Sequence, residues 1–131
     1  MFQIALWVWF FGCIRTYQLG DILLVEGMGI RSAEFIMLCI YSAGILLNLA
    51  MSSIGGKVLL GILCIWMIIQ FFCHWYFTIF GASDAKLKGY NECFRGTARI
   101  WPMSDKRLVP DLYHIVLHGL ILMNIILCIV M

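Results

Sequence analysis

Three histidines, two carboxylates and a band of basic side chains are the groups in this chain with chemistry to offer. His74 lies inside a long apolar run, while His114 and His118 open another, four residues apart. Imidazoles at i and i+4 point the same way from a helix and can share a divalent metal, and a third from a neighbouring helix would complete a three-nitrogen site. Asp111 and Glu34 are the carboxylates available as a fourth ligand or as acceptors fixing an imidazole tautomer. The same groups could relay protons, because imidazole titrates near neutral pH. A plainer reading stands beside both: interfacial histidines hydrogen-bond carbonyls or headgroups, and Asp111, which follows Pro110, is a helix cap. Haem between two histidines is disfavoured, since it needs a large apolar slot that no stretch of the sequence shows.

The elements that must position these groups are read from composition. Of 131 residues, 63% are hydrophobic and only 12% charged, with a mean hydropathy of +0.98. That is too little polar material to coat a water-facing surface, so lipid is expected as the outer solvent. A helix crossing about 30 Å of hydrocarbon needs around 20 residues. Helices are expected over 33–52, 56–80 and 112–131, with a fourth favoured over 2–25 carrying Arg15, Gln18 and Asp21 on a polar face; the alternative for this segment is a short helix that ends at the interface. In that first segment Trp7 and Trp9 are expected in a lipid-facing belt and Arg15 snorkelling to water. The expected fold is all-α: a single membrane domain, 1–131, built as a four-helix transmembrane bundle.

Between the third and fourth helices, Leu87, Tyr90, Phe94, Ala98 and Trp101 recur with the period of one helical face. Ser83 is a cap and Pro102 a stop, which predicts an amphipathic helix over 83–101 lying on the cytoplasmic leaflet. Arg15, Arg31, Lys86, Lys88, Arg95, Arg99, Lys106 and Arg107 make up eight of the nine basic residues, and all lie in the 15–33 and 81–111 connections. The positive-inside rule puts these connections in the cytoplasm and both termini on the other side. Lys86, Lys88, Arg95, Arg99, Lys106 and Arg107 are also candidates for an anionic lipid headgroup or a partner subunit.

Polar residues inside spanning helices are costly and face a bundle interior. Glu34, Tyr41, Asn48 and Ser52 fall within about 40° of one another at 100° per residue. Gln70, His74 and Thr78 form a second stripe, and Asp111, His114 and His118 a third. His74 and His118 each lie about 10 Å from the cytoplasmic end of their helices, so the three histidines and two carboxylates are expected at one level. Asn48 and Asn124, at matching depth in the outer half, are expected to bond to each other. Ser42, Ala43, Gly44, Gly55 and Gly56 allow close helix approach.

The six cysteines form no Cys-x-x-Cys pair, and all but Cys93 lie in apolar runs, where a free thiol behaves as a small hydrophobe. Four-helix thiol oxidoreductases and small four-helix multidrug transporters are similar in size only. The chain has neither the paired-cysteine loops of the first nor a carboxylate before Asp21 in its first helix, as the second would require. No cleavable signal peptide is expected.

Composition favours an accessory, scaffold or transport subunit that works through helix packing and its basic loop, associating with itself or another membrane protein and not with nucleic acid. The alternatives are a membrane-embedded enzyme or transporter with a histidine-rich metal or proton-handling site, and a binder of anionic lipid headgroups. The expected topology is checked by a membrane-impermeant maleimide applied to intact and to permeabilised cells. With the native cysteines replaced, Ala85→Cys should react only after permeabilisation, and labelling of intact cells would overturn the orientation.

Overall fold

Where water is absent every backbone polar group needs an internal partner, and a helix supplies one within its own segment. The apolar runs fold accordingly. The computed structural model describes residues 2–130. In order these are α1 (Phe2–Phe11), a hairpin of β1 (Tyr17–Leu19) and β2 (Ile22–Val25), α2 (Ala33–Ala50), α3 (Ser52–Phe80), α4 (Asp84–Cys93) and α5 (Leu112–Val130). Three helices, α2, α3 and α5, are long and apolar enough to cross a membrane, as a multi-pass membrane protein requires. The last residue expected in the final helix, Met131, lies outside the described residues.

Leu6 and Phe10 of α1, Leu38 and Tyr41 of α2, Leu59, Leu63 and Trp66 of α3, and Tyr113, Leu117 and Ile121 of α5 make the shared core. Outward-facing Leu46, Leu49, Ile65 and Ile129 are exposed. An apolar belt of that extent is unstable against water and suited to lipid.

Helices α2 and α3 form a tight hairpin turning on Met51, which caps both. A Cβ on Gly55 would lie 2.3 Å from the Asn48 Cα, and one on Gly44 2.8 Å from Ile62. The expected small-residue contact is therefore real at these two positions. Ser32 starts α2, its hydroxyl accepting from the Phe35 N–H at 3.2 Å.

The first segment departs from expectation. The helix expected over 2–25 ends at Phe11, which gives a length of about 15 Å, half a bilayer core. Successive bonds from Gly12, Cys13 and Ile14 to carbonyls three residues back tighten its last turn. The chain then enters the hairpin, with Leu19 opposite Ile22 across a two-residue link, Gly20–Asp21. Gly20 has φ +60, a conformation that glycine adopts at no steric cost. Arg15 is exposed as expected, but Trp7 and Trp9 turn inward. Trp7 Nε1 donates to Ser42 Oγ at 2.8 Å and Trp9 Nε1 to the Tyr113 carbonyl at 3.1 Å.

Asn124 does not meet Asn48. It donates to the carbonyls of Phe2, at 3.3 Å, and Leu120, at 2.8 Å, because α1 stands beside α5 at that depth and offers a carbonyl. Tyr41 likewise donates to the Gln3 carbonyl at 3.2 Å.

The helix expected over 83–101 spans only Asp84–Cys93. Gly96, at φ +87, reverses the chain well before Pro102. Leu87 and Tyr90 are buried against Phe77, Ala82 and Leu108 rather than facing lipid, while Trp101 is exposed and off the helix. The loop that follows is tied to the hairpin by Ala98 N–H to the Leu23 carbonyl at 2.8 Å, and to α5 by Leu112 N–H to the Ala98 carbonyl at 2.8 Å.

Gly55→Ala should lower the stability of the detergent-solubilised protein by about 1–3 kcal/mol, the usual cost of overpacking. Gly61→Ala, on the same helix with open space around it, should leave stability unchanged or raise it by up to about 1 kcal/mol. Thermal unfolding of the two variants checks this, and equal effects would remove the close α2–α3 contact.

A histidine cluster beside an amphipathic cavity

α3 carries one π-helical turn, Phe71–Trp75, in which the Tyr76 N–H reaches the Phe71 carbonyl. The turn takes one extra residue and shifts what faces α5. Gln70 and Trp75, five apart, both reach His118. Trp75 Nε1 donates to His118 Nδ1 at 2.7 Å, and His118 Nε2 donates to Gln70 Oε1 at 3.1 Å. An imidazole that accepts on one nitrogen and donates on the other is neutral and fully satisfied.

His74, in the same π turn, hydrogen-bonds the Tyr90 hydroxyl through Nδ1 at 2.8 Å. Its ring centroid is 4.4 Å from that of His114 and 5.3 Å from that of His118. The three histidines thus form one cluster at the depth their spacing implied. All three are buried. Thr78, the third member of the expected α3 stripe, bonds the His74 carbonyl at 3.2 Å and adds no side-chain function to the cluster.

Asp111 does two tasks with one oxygen. Its Oδ1 accepts the His114 backbone N–H at 2.9 Å, capping α5, and the His114 Nδ1–H at 2.7 Å. Both expected roles, cap and tautomer-fixing acceptor, are present together. With the proton on Nδ1, the lone pair of His114 is on Nε2. Burial works to raise the Asp111 pKa, but the hydrogen bonds from the His114 ring and backbone N–H outweigh that and hold it below the ordinary carboxylate value. The Thr97 hydroxyl is a neighbouring donor to this carboxylate but points to the Phe94 carbonyl at 2.9 Å, which leaves Oδ2 buried without a hydrogen bond among the described residues.

Beside the cluster lies a cavity of about 900 Å³. Its lining mixes polar residues, among them His74, His114, Gln70 and Tyr90, with apolar ones, among them Ile36, Ile40, Ile69 and Leu117; the three isoleucines are largely exposed, so the space is open on their flank. Among the described residues, Nε2 of His74 and of His114 makes no hydrogen bond. Trp66 also lines the cavity and packs in the shared core with Leu63 and Leu59.

Metal ligation by all three imidazoles would require His118 to surrender one of its two hydrogen bonds. Among the described residues no group of three His, Cys, Asp or Glu is arranged to hold a metal ion. The rings of His74 and His114 are also too close to stand on opposite faces of a haem. With metal–nitrogen distances near 2 Å, their centroids would need to be about 6 Å apart or more.

Glu34 lines the same cavity without bonding to the histidines. Of the basic candidates, Arg99 is half-buried and clamps its own loop, donating to the Val109 carbonyl at 2.7 Å and the Phe94 carbonyl at 3.4 Å. Lys86 lies over the Phe77 ring at 5.0 Å. Lys88, Arg95, Lys106 and Arg107 are exposed, the first two on a second, shallower recess shared with Arg99. Sequence reasoning missed Trp75 and the role of Tyr90. Tyr90 was visible as part of an apolar stripe, whereas nothing local announces the extra residue that brings Trp75 to His118.

The chain matches no family model, and no curated protein or solved structure is similar enough to count as a match.

A depressed folded-state pKa contributes stability that is fully present above the unfolded value, about 3.9 for Asp. That stability is lost as the pH falls through the folded value. Thermal unfolding of the natural protein should therefore weaken in acid below about pH 4, and Asp111→Asn should flatten that limb. Asp111→Ala, which also loses the cap, should cost about 1–2 kcal/mol at pH 7. An unaltered acid limb in Asp111→Asn would assign the acid sensitivity to another group.

Proposed function

We propose that this protein is a membrane-embedded enzyme in which His114, held in one tautomer by Asp111, takes a proton from an amphiphilic substrate in the cavity. The observation that carries the reading is the free Nε2 of a buried, carboxylate-oriented imidazole among the residues that line a cavity of mixed polar and apolar character. A carboxylate behind an imidazole fixes its orientation and stabilises the imidazolium that forms when the proton arrives. His118 and His74 are supporting groups. His118 is bound on both nitrogens to α3, and His74 packs against His114 and ties it to Tyr90 of α4.

The Asp111-oriented imidazole favours an enzyme over a transporter, because a carboxylate behind an imidazole is the arrangement of general-base catalysis. α2, α3 and α5 cross the bilayer and α1 lies at partial depth, with the histidine end facing the cytoplasm. Eight basic residues gather at that end against Lys57 at the other. The accessory-subunit reading, in which the histidines only pack, makes the opposite prediction for the variant below.

Untargeted mass spectrometry of membrane lipids from cells with and without this chain is the test. Loss of the chain should change the abundance of at least one amphiphile, natural protein should restore it, and His114→Ala, inserted at normal level, should not. Removing a general base costs about 10²–10⁴-fold in rate. Restoration by His114→Ala, or a lipid profile indifferent to the chain, would overturn the proposal and return the histidines to a packing role.

A further inference from the structure

We infer that the substrate is a single-chain amphiphile with a cationic, amine-bearing headgroup. This rests on the cavity beside His114 being the substrate site proposed above. Three carboxylates, Glu26, Glu34 and Glu92, line the cavity against one cation, Lys86. Among the described residues none of the three carboxylates is ion-paired. Lys86 lies over the Phe77 ring and keeps its charge, so the lining stands at three acids against one base. Glu34 is half-buried while Glu26 and Glu92 are exposed, which puts a net negative field at the accessible edge of the space. A phosphate headgroup would be repelled there and an ammonium drawn in.

A second observation points into the same space. His114 is 7% exposed and lines the cavity, and its Nε2 makes no hydrogen bond among the described residues, so an ammonium N–H would find an acceptor there. The chain of the ligand would lie along Ile36, Ile40 and Ile69, down to Trp66. At about 900 Å³ the space is near the top of the range that holds a ligand of drug size, about 300–1,000 Å³. That is room for a headgroup and one chain. The neighbouring recess shares Glu92 and Phe94 with this cavity but adds Lys88, Arg95 and Arg99 against Asp105, so its charge balance is the more basic of the two.

The test uses the full chain in neutral detergent and three probes of equal chain length: dodecylamine, dodecanol and dodecyl phosphate. Bound ligand is counted by native mass spectrometry. Dodecylamine should bind about tenfold or more tightly than either of the others. The combined variant Glu26→Gln, Glu34→Gln, Glu92→Gln should remove that preference while keeping its affinity for dodecanol, which shows that the cavity is intact. Lys86→Gln should leave the preference in place. Equal binding of the three probes, or tighter binding of the phosphate, would overturn the headgroup assignment and leave the general-base proposal standing. If no probe binds, the cavity is not a ligand site and both proposals fall.

Discussion

One carboxylate oxygen, Asp111 Oδ1, stands where the backbone and the side-chain chemistry of this protein meet. It ends the loop that returns from α4, starts α5 by taking the His114 N–H, and takes the imidazole proton of the same residue. Because both bonds converge on one atom, the direction of α5 and the tautomer of His114 cannot vary independently. Pro110, buried just before it, fixes the approach of the chain. The Leu112 bond to Ala98, and through Ala98 to Leu23 of the hairpin, ties three sequence-distant segments to that start.

The rest of the interior follows from the cost of leaving polar groups unpaired where water is scarce. Trp75 and Gln70 complete His118, Tyr90 completes one nitrogen of His74, and Trp7 is paired with Ser42. The short helix α1 is held by side chains that seek carbonyls, with Tyr41, Asn124 and Tyr113 donating to Gln3, Phe2 and Trp9. Against that background, Asp111 Oδ2 is a buried atom with no hydrogen bond among the described residues, and it lies on the carboxylate that orients His114.

How much of this could be read from sequence depended on whether the determining interaction was local. The meeting of His74, His114 and His118 was legible because i, i+4 spacing and depth are both fixed by helix geometry. Asp111 as a cap was legible for the same reason. The three long helices were legible from hydropathy alone. The hairpin carried a readable signal, Gly20–Asp21 between apolar strands, which was overridden by treating the segment as one polar-faced helix. The apolar face of α4 was found, but its destination was not, because a stripe suited to lipid is equally suited to protein. Asn124 chose a backbone carbonyl over Asn48 on a choice that only the placement of α1 could decide. The cavity is lined from six separate segments of chain, and its three carboxylates from three of them, so no local pattern joins them.

Lengths of the helices carry a further consequence. α2 has 18 residues and α5 has 19, so each matches a hydrocarbon slab of about 27–28 Å. That is the thickness of a thin bilayer such as the endoplasmic reticulum, several ångströms less than a sterol-rich plasma membrane. α3, at 29 residues, is about 15 Å longer than either of them. It fits a slab that its two neighbours just fill only by tilting or by standing clear of it.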